Sequence, residues 1–68
     1  MMPSKLQFTE RELAVARVLI MGKSNQQIAL QLDISSRAVE YHLTHIYEKL
    51  KISSRTQAII ELINMFKE

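Results

Sequence analysis

Apolar residues recur every three or four positions through most of the chain, the pattern of amphipathic helices that bury one face. The clearest stripe is made by Val39, Leu43, Ile46 and Leu50, spaced four, three and four apart. A second stripe, near the C-terminus, is made by Ala58, Ile59, Leu62 and Phe66. The pattern predicts an all-α fold in which both stripes face the core.

The helix starts follow from Ser or Thr with Glu or Gln three residues later, the capping-box pattern. It occurs three times, at Thr9 with Glu12, Ser24 with Gln27, and Ser54 with Gln57. With Ser35 or Ser36 as a further N-cap, these signals predict four helices, over about residues 10–21, 25–32, 36–50 and 55–66. Gly22 suits the left-handed position after the first helix. Residues 1–7 are predicted to be a short flexible lead and residues 8–67 one domain.

The second and third predicted helices are separated by only a few residues. Apolar side chains lie where these two helices must pack together, at Ile28, Ala29, Leu32, Ile34 and Val39. Ala29 is small enough to let the helices approach, and Asp33 tolerates left-handed backbone in the turn, where Gly is commoner. This spacing is typical of a helix-turn-helix, whose second helix usually lies in the major groove of DNA.

The polar face of the third predicted helix supplies candidates for reading bases. If the apolar stripe faces inward, the 100° step per residue places Arg37, Tyr41 and Thr44 on the opposite face, with Glu40 on its flank. Arg can bind guanine, Thr can touch a thymine methyl, and Glu can accept a hydrogen bond from cytosine N4. We predict base readout by Arg37, Glu40, Tyr41 and Thr44. The alternatives are a surface ion pair between Arg37 and Glu40, and a packing role for Tyr41.

Phosphate contacts are predicted from where the basic residues lie along the chain rather than from the net charge. The net charge of +2, from nine Lys and Arg against seven Asp and Glu, is weak evidence for a nucleic-acid partner. Basic side chains flank the third helix, and backbone N–H groups at helix starts can receive phosphates. The predicted DNA-backbone residues are Lys23, Ser24, Asn25, Ser35, Ser36, Lys49, Lys51 and Arg55.

Several function classes receive no support from the composition. The absence of cysteine excludes disulfides and thiolate metal sites and favours a cytoplasmic setting. No apolar run approaches the ~20 residues of a membrane span, so no membrane partner is expected. His42 and His45 stand three apart, but too few carboxylates lie nearby for a metal site. With no nucleophile–base pair and no Gly-rich phosphate loop, neither an enzyme nor a cofactor is expected.

The fourth predicted helix carries apolar residues outside its core stripe. Ile60 and Ile63 are either scattered surface residues or part of a partner surface. We predict a homodimer through Ile60, Ile63, Asn64 and Lys67, which would offer two recognition helices to an inverted repeat. The alternative function is a protein-binding helical module that pairs with and modulates another regulator. RNA polymerase or such a regulator is then a candidate partner beside double-stranded DNA.

Five blocks of the sequence resemble the LuxR-type helix-turn-helix domain, the DNA-binding end of many response regulators and quorum-sensing regulators. They are FTEREL (8–13), GKSNQQIA (22–29), LDIS (32–35), AVEYHL (38–43) and KLKISSRTQA (49–58). The resemblance covers residues 6–66 and implies a bacterial transcription regulator with four helices that dimerises through the last one. It places base contacts on Glu40, Tyr41 and Thr44, and phosphate contacts near Ser24, Asn25, Ser35 and Lys49.

Two positions depart from the pattern of the family that the chain resembles. Position 38 is usually Thr and is Ala38 here, so one hydroxyl that could reach a phosphate is missing. Position 40 is often Lys and is Glu40 here. The two changes imply either an unusual target sequence or weakened DNA binding.

Overall fold

The computed structural model describes residues 5–67, apart from the side chain of Leu6. A single 3-10 turn at Lys5–Gln7 precedes four helices: α1 (Glu10–Leu19), α2 (Asn25–Leu32), α3 (Ser36–Leu50) and α4 (Arg55–Phe66). No strand occurs between residues 5 and 67, and the predicted all-α, four-helix fold is confirmed. Residues 1–4 of the predicted lead lie outside the described residues.

The predicted caps start the helices where the sequence places them. Two complete capping boxes form, at Thr9 with Glu12 and at Ser24 with Gln27. For α3 the cap is Ser35, whose hydroxyl accepts the Ala38 N–H at 3.0 Å. At Ser54 the hydroxyl accepts the Gln57 N–H at 3.0 Å, but the reciprocal bond that completes a box is not formed among the described residues. The third predicted box is therefore wrong, while the cap itself is confirmed.

The end of α1 comes two residues earlier than predicted, at Leu19. After Leu19 the backbone hydrogen bonds span three residues instead of four. The Met21 N–H donates to the Val18 carbonyl at 3.1 Å, and the Gly22 N–H donates to the Leu19 carbonyl at 2.9 Å. Gly22 has φ +84°, the left-handed conformation that glycine adopts without steric cost. The prediction for Gly22 is confirmed.

Both α2 and α3 end in a Schellman motif at a residue that is not glycine. The left-handed residues are Asp33 (φ 57°) and Lys51 (φ 58°). In each case the next N–H reaches five residues back, from Ile34 to the Ala29 carbonyl at 3.0 Å and from Ile52 to the Tyr47 carbonyl at 3.1 Å. The turn conformation at Asp33 was predicted, whereas that at Lys51 was not.

Replacing Lys51 with glycine is expected to raise the free energy of unfolding by about 0.5–1 kcal/mol, because it removes the steric cost of a left-handed Cβ. Urea unfolding followed by circular dichroism measures the change. Gln31→Gly is the matched control: it lies exposed inside α2, where glycine should cost about 1 kcal/mol. A destabilised Lys51→Gly variant would contradict the assignment of Lys51 to the left-handed region.

The core is built around α3, against which α1 and α2 both pack, and α4 packs against α3 and α1. The residues of the core cluster are Phe8, Val15, Ala16, Val18, Leu19, Ile28, Ala29, Val39, Leu43, Ile46, Leu62 and Met65. In α4, Met65 is buried although it was not predicted, whereas Ile59 and Phe66 are only half-buried. No helix within residues 5–67 is long and apolar enough to cross a membrane.

Candidate nucleic-acid interface

The outer face of α3 carries the four residues predicted to read bases, and all four side chains are exposed: Arg37, Glu40, Tyr41 and Thr44. Val39 and Ile46 on the opposite face are fully buried, and Leu43 is nearly so. The core therefore fixes which side of α3 faces solvent. Within residues 5–67, Arg37 and Glu40 form no ion pair, so the alternative of a surface pair is not what the structure contains.

Tyr41 belongs to a small aromatic group on α3. It is 60% exposed, and its ring lies edge-on to the His45 ring at 4.3 Å between centroids and to the His42 ring at 5.5 Å. Such edge contacts stabilise the orientation of a side chain beyond simple burial. Tyr41 is thus held against its own helix while most of its surface remains available to a partner.

Three of the residues predicted to contact the DNA backbone, Lys23, Asn25 and Arg55, meet at the start of α2, where Arg55 connects the other two. The Arg55 guanidinium donates from Nη1 to the Asn25 side-chain oxygen at 2.8 Å and from Nη2 to the Lys23 carbonyl at 2.9 Å. Because Arg can only donate, the amide oxygen of Asn25 must face it, which leaves the Asn25 NH₂ group as a free donor. Arg55 therefore ties the first residue of α4 to the start of α2.

Lys49 is engaged in a different way from the one the sequence indicated. Its ammonium donates to the Glu12 carboxylate at 2.6 Å, and the Glu12 side chain is almost completely buried. This ion pair links α3 to the first turn of α1. Lys49 is one-third exposed, and its ammonium also lies 5.5 Å from the centre of the Phe8 ring. Lys49 thus has a structural role within the domain that does not depend on bound DNA.

The ionisation of Glu12 reflects this environment. Burial raises the pKa of its carboxyl group, but hydrogen bonds from Lys49 and the Thr9 N–H, with the positive charges of Lys49 and His45, have the larger combined effect. The pKa of Glu12 therefore lies below its ordinary value of 4.5. The ionised carboxylate is the form that the fold stabilises.

The remaining predicted contacts lie at the starts of α2 and α3 and at the end of α3. Ser24, Ser35 and Lys51 are exposed, and Ser36 is half-buried. The Ser24 and Ser35 hydroxyls already accept the N–H bonds of their own helix starts. Among the described residues no group of three or more His, Asp or Glu side chains is placed to hold a metal ion.

Comparisons with known proteins identify the family to which the chain belongs. The family described as "Bacterial regulatory proteins, luxR family" matches residues 6–62. The spore germination protein GerE of Bacillus subtilis is 37% identical over 62 residues, which is 91% of this chain and 84% of GerE. The transcriptional regulator MalT of Vibrio campbellii is 36% identical over 59 residues, which is 87% of this chain but 6% of MalT. This chain thus spans only a small part of MalT.

A solved structure has the same fold. It is the crystal structure of the anti-activator RapF complexed with the DNA-binding domain of the response regulator ComA. The similarity has a TM-score of 0.76 with 40% sequence identity, and it covers 81% of this chain and 95% of the matched one. The chain therefore belongs to the luxR family of bacterial regulatory proteins, and it has the fold of a LuxR-type helix-turn-helix domain.

Proposed function

We propose that this domain binds double-stranded DNA with α3 in the major groove and reads bases through Arg37, Glu40, Tyr41 and Thr44. The observation that carries the proposal is the exposure of all four side chains on one face of a helix whose opposite face is fixed in the core. Membership of a family of DNA-binding regulators supports it. As such a regulator, the protein acts where bacterial DNA lies, in the cytoplasm.

The phosphate contacts divide into two groups in this proposal. Direct contacts come from Lys23, Lys51, the Asn25 amide, and the helix starts at Ser24, Ser35 and Ser36. Arg55 and Lys49 already have intramolecular partners, and they act mainly by holding the starts of α2 and α1 in place. Phosphate contacts of this kind set the position of a protein on the duplex, while base contacts give its specificity.

Alanine at Arg37 or Thr44 is expected to weaken binding to a selected DNA site by about 1–3 kcal/mol each, because each removes a base contact. Fluorescence anisotropy with a labelled duplex measures the affinity. Gln31→Ala is the control, since Gln31 is exposed on α2 and has no proposed DNA role. Unchanged affinity and sequence preference in both Arg37→Ala and Thr44→Ala would reject the proposed reading face.

We further propose that two copies associate through α4. Ile60 and Ile63 are 53% and 37% exposed, and Asn64 in the same helix and Lys67 at its C-cap are also exposed. Apolar side chains at the surface of so small a domain favour a partner surface. A symmetric pair would present two recognition helices to the two halves of an inverted repeat.

Sedimentation velocity tests the dimer, which is expected to form in the ~10 µM range. Ile60→Glu should shift the protein to monomer, because it places a charge in an apolar contact. Gln31→Glu, which adds the same charge at an exposed position of α2, should leave the dimer intact. A wild-type protein that stays monomeric throughout this range would rule out association through α4.

A second candidate function is binding to another protein. The specific observation in its favour is that the related ComA domain has been solved in complex with RapF, an anti-activator. In this chain Ile60 and Ile63 would supply the contact, and the partner would be another regulator or RNA polymerase. This function would be favoured if the folded protein binds no DNA but binds another regulator, and if Ile60→Glu abolishes that binding.

A further inference from the structure

The hydroxyl group of Thr44 is already committed inside α3. Its Oγ1 donates to the backbone carbonyl of Glu40 at 3.0 Å, one helical turn back. A hydroxyl has one proton to donate and two lone pairs to accept with. Because the proton is used within the helix, the exposed side of the Thr44 hydroxyl can only accept hydrogen bonds.

Glu40 presents the same kind of chemistry on the same face. Its carboxylate is exposed and forms no ion pair or hydrogen bond with any residue in the range 5–67. An ionised carboxylate accepts and never donates. Glu40 and Thr44 are four residues apart, so their side chains are neighbours along the helix surface. Together they form a patch that offers acceptors only, which we call the acceptor pair.

In the major groove an acceptor pair has few possible partners. The exposed donors there are the N4 amino group of cytosine and the N6 amino group of adenine, whereas guanine N7 and O6 and thymine O4 are acceptors. In adenine the amino group stands beside the N7 acceptor, which repels the second oxygen of a carboxylate. In cytosine the neighbouring position is a C–H group, which does not repel the second carboxylate oxygen.

We propose that the acceptor pair is a specificity determinant that reads exocyclic amino groups of bases. Glu40 selects cytosine, and Thr44 selects the amino group of cytosine or adenine at an adjacent base pair. The inference rests on the proposed placement of α3 in the major groove. It gives Glu40 a defined role. The family that the chain resembles often has Lys, a donor, at this position, and exchanging a donor for an acceptor changes which base is preferred.

Sequence selection from a pool of random duplexes tests the proposal, with wild type, Glu40→Gln, Thr44→Val and Thr44→Ser compared side by side. Wild type should enrich a half-site with one strongly preferred cytosine. Exchanging that base pair should weaken binding on the order of tenfold. Glu40→Gln has nearly the same shape but adds a donor, so the preferred base should change from cytosine to adenine, which Gln can bind at N6 and N7 together.

The Thr44 variants form the matched pair. Valine keeps the shape and a methyl group but loses the acceptor, so the preference at one neighbouring base pair should disappear. Serine keeps the hydroxyl and should retain that preference. Both positions are exposed, and urea unfolding of each variant checks that the fold is unchanged.

The outcomes separate this inference from the proposed function. A wild type that enriches a defined site, with Glu40→Gln and Thr44→Val enriching the same site, would overturn the acceptor pair and leave DNA binding standing. A folded wild type that enriches no sequence and binds no duplex would overturn both. The result we expect is a changed base at one position in Glu40→Gln, a lost preference at one neighbouring position in Thr44→Val, and an unchanged site in Thr44→Ser.

Discussion

Replacing Ile28 with alanine is expected to lower the free energy of unfolding by about 2–5 kcal/mol, the usual cost of a buried large-to-small change that leaves a cavity. Ile28 is 0% exposed, and it is the one large buried side chain of α2. A domain of this length has a total stability of only ~3–10 kcal/mol. The variant should therefore lose a large part of its stability, and its Tm should fall by at least about 8 °C.

The physical reason is the small size of α2. Its eight residues are too few to form a stable isolated helix, so its position depends on tertiary packing. Leu30→Ala is the control within the same helix, because Leu30 is 83% exposed and its loss should change stability by less than about 0.5 kcal/mol. Thermal unfolding of both variants makes the comparison. Equal effects at the two positions would contradict the packing of α2 through Ile28.

Removing the Glu12 carboxylate is the second change with a large expected effect. Glu12→Ala should cost about 2–3 kcal/mol, because it leaves the Lys49 ammonium and the Thr9 N–H without their acceptor. Glu10→Ala is the matched control: Glu10 is exposed in the same first turn of α1, and its loss should cost only a few tenths of a kcal/mol. Urea unfolding at neutral pH measures both.

The same carboxylate makes stability depend on pH. Because the pKa of Glu12 is lower in the folded protein than its ordinary value of 4.5, its contribution is fully present above pH 4.5. It is lost as the pH falls through the folded pKa, since the unfolded chain then binds the proton more readily. Glu12→Gln should remove this part of the acid sensitivity. An unchanged pH profile in Glu12→Gln would contradict the role of the ion pair.

The helices could be predicted from sequence because their signals are local. A cap such as Ser24 and its partner Gln27 lie three residues apart, and the spacing of Val39, Leu43 and Ile46 reports the buried face of α3 directly. The same spacing placed Arg37, Glu40, Tyr41 and Thr44 on the exposed face, where the structure has them. Whether they read bases is what the proposed experiments decide.

The features that the sequence did not predict either join residues far apart in the chain or occur at residues whose type does not indicate them. Glu12 and Lys49 are 37 positions apart, and Arg55 and Asn25 are 30 apart. Only the packing of α1 and α4 against their neighbours brings these side chains together. Lys51 adopts a left-handed conformation without the glycine that normally marks one. Met65 was missed because α4 is apolar on several sides, so its spacing alone does not single out the buried stripe.

Fluorescence anisotropy of the wild-type protein with random duplex DNA, at about 50 and 200 mM salt, tests the central claim most directly. Binding by α3 and its flanking groups should displace counterions from the phosphates. With two to four phosphates neutralised per domain, by Lys23 and Lys51 and in part by Lys49 and Arg55, affinity should fall by about 10- to 150-fold between the two salt concentrations. A folded protein that binds at neither concentration would contradict DNA binding and direct attention to a protein partner.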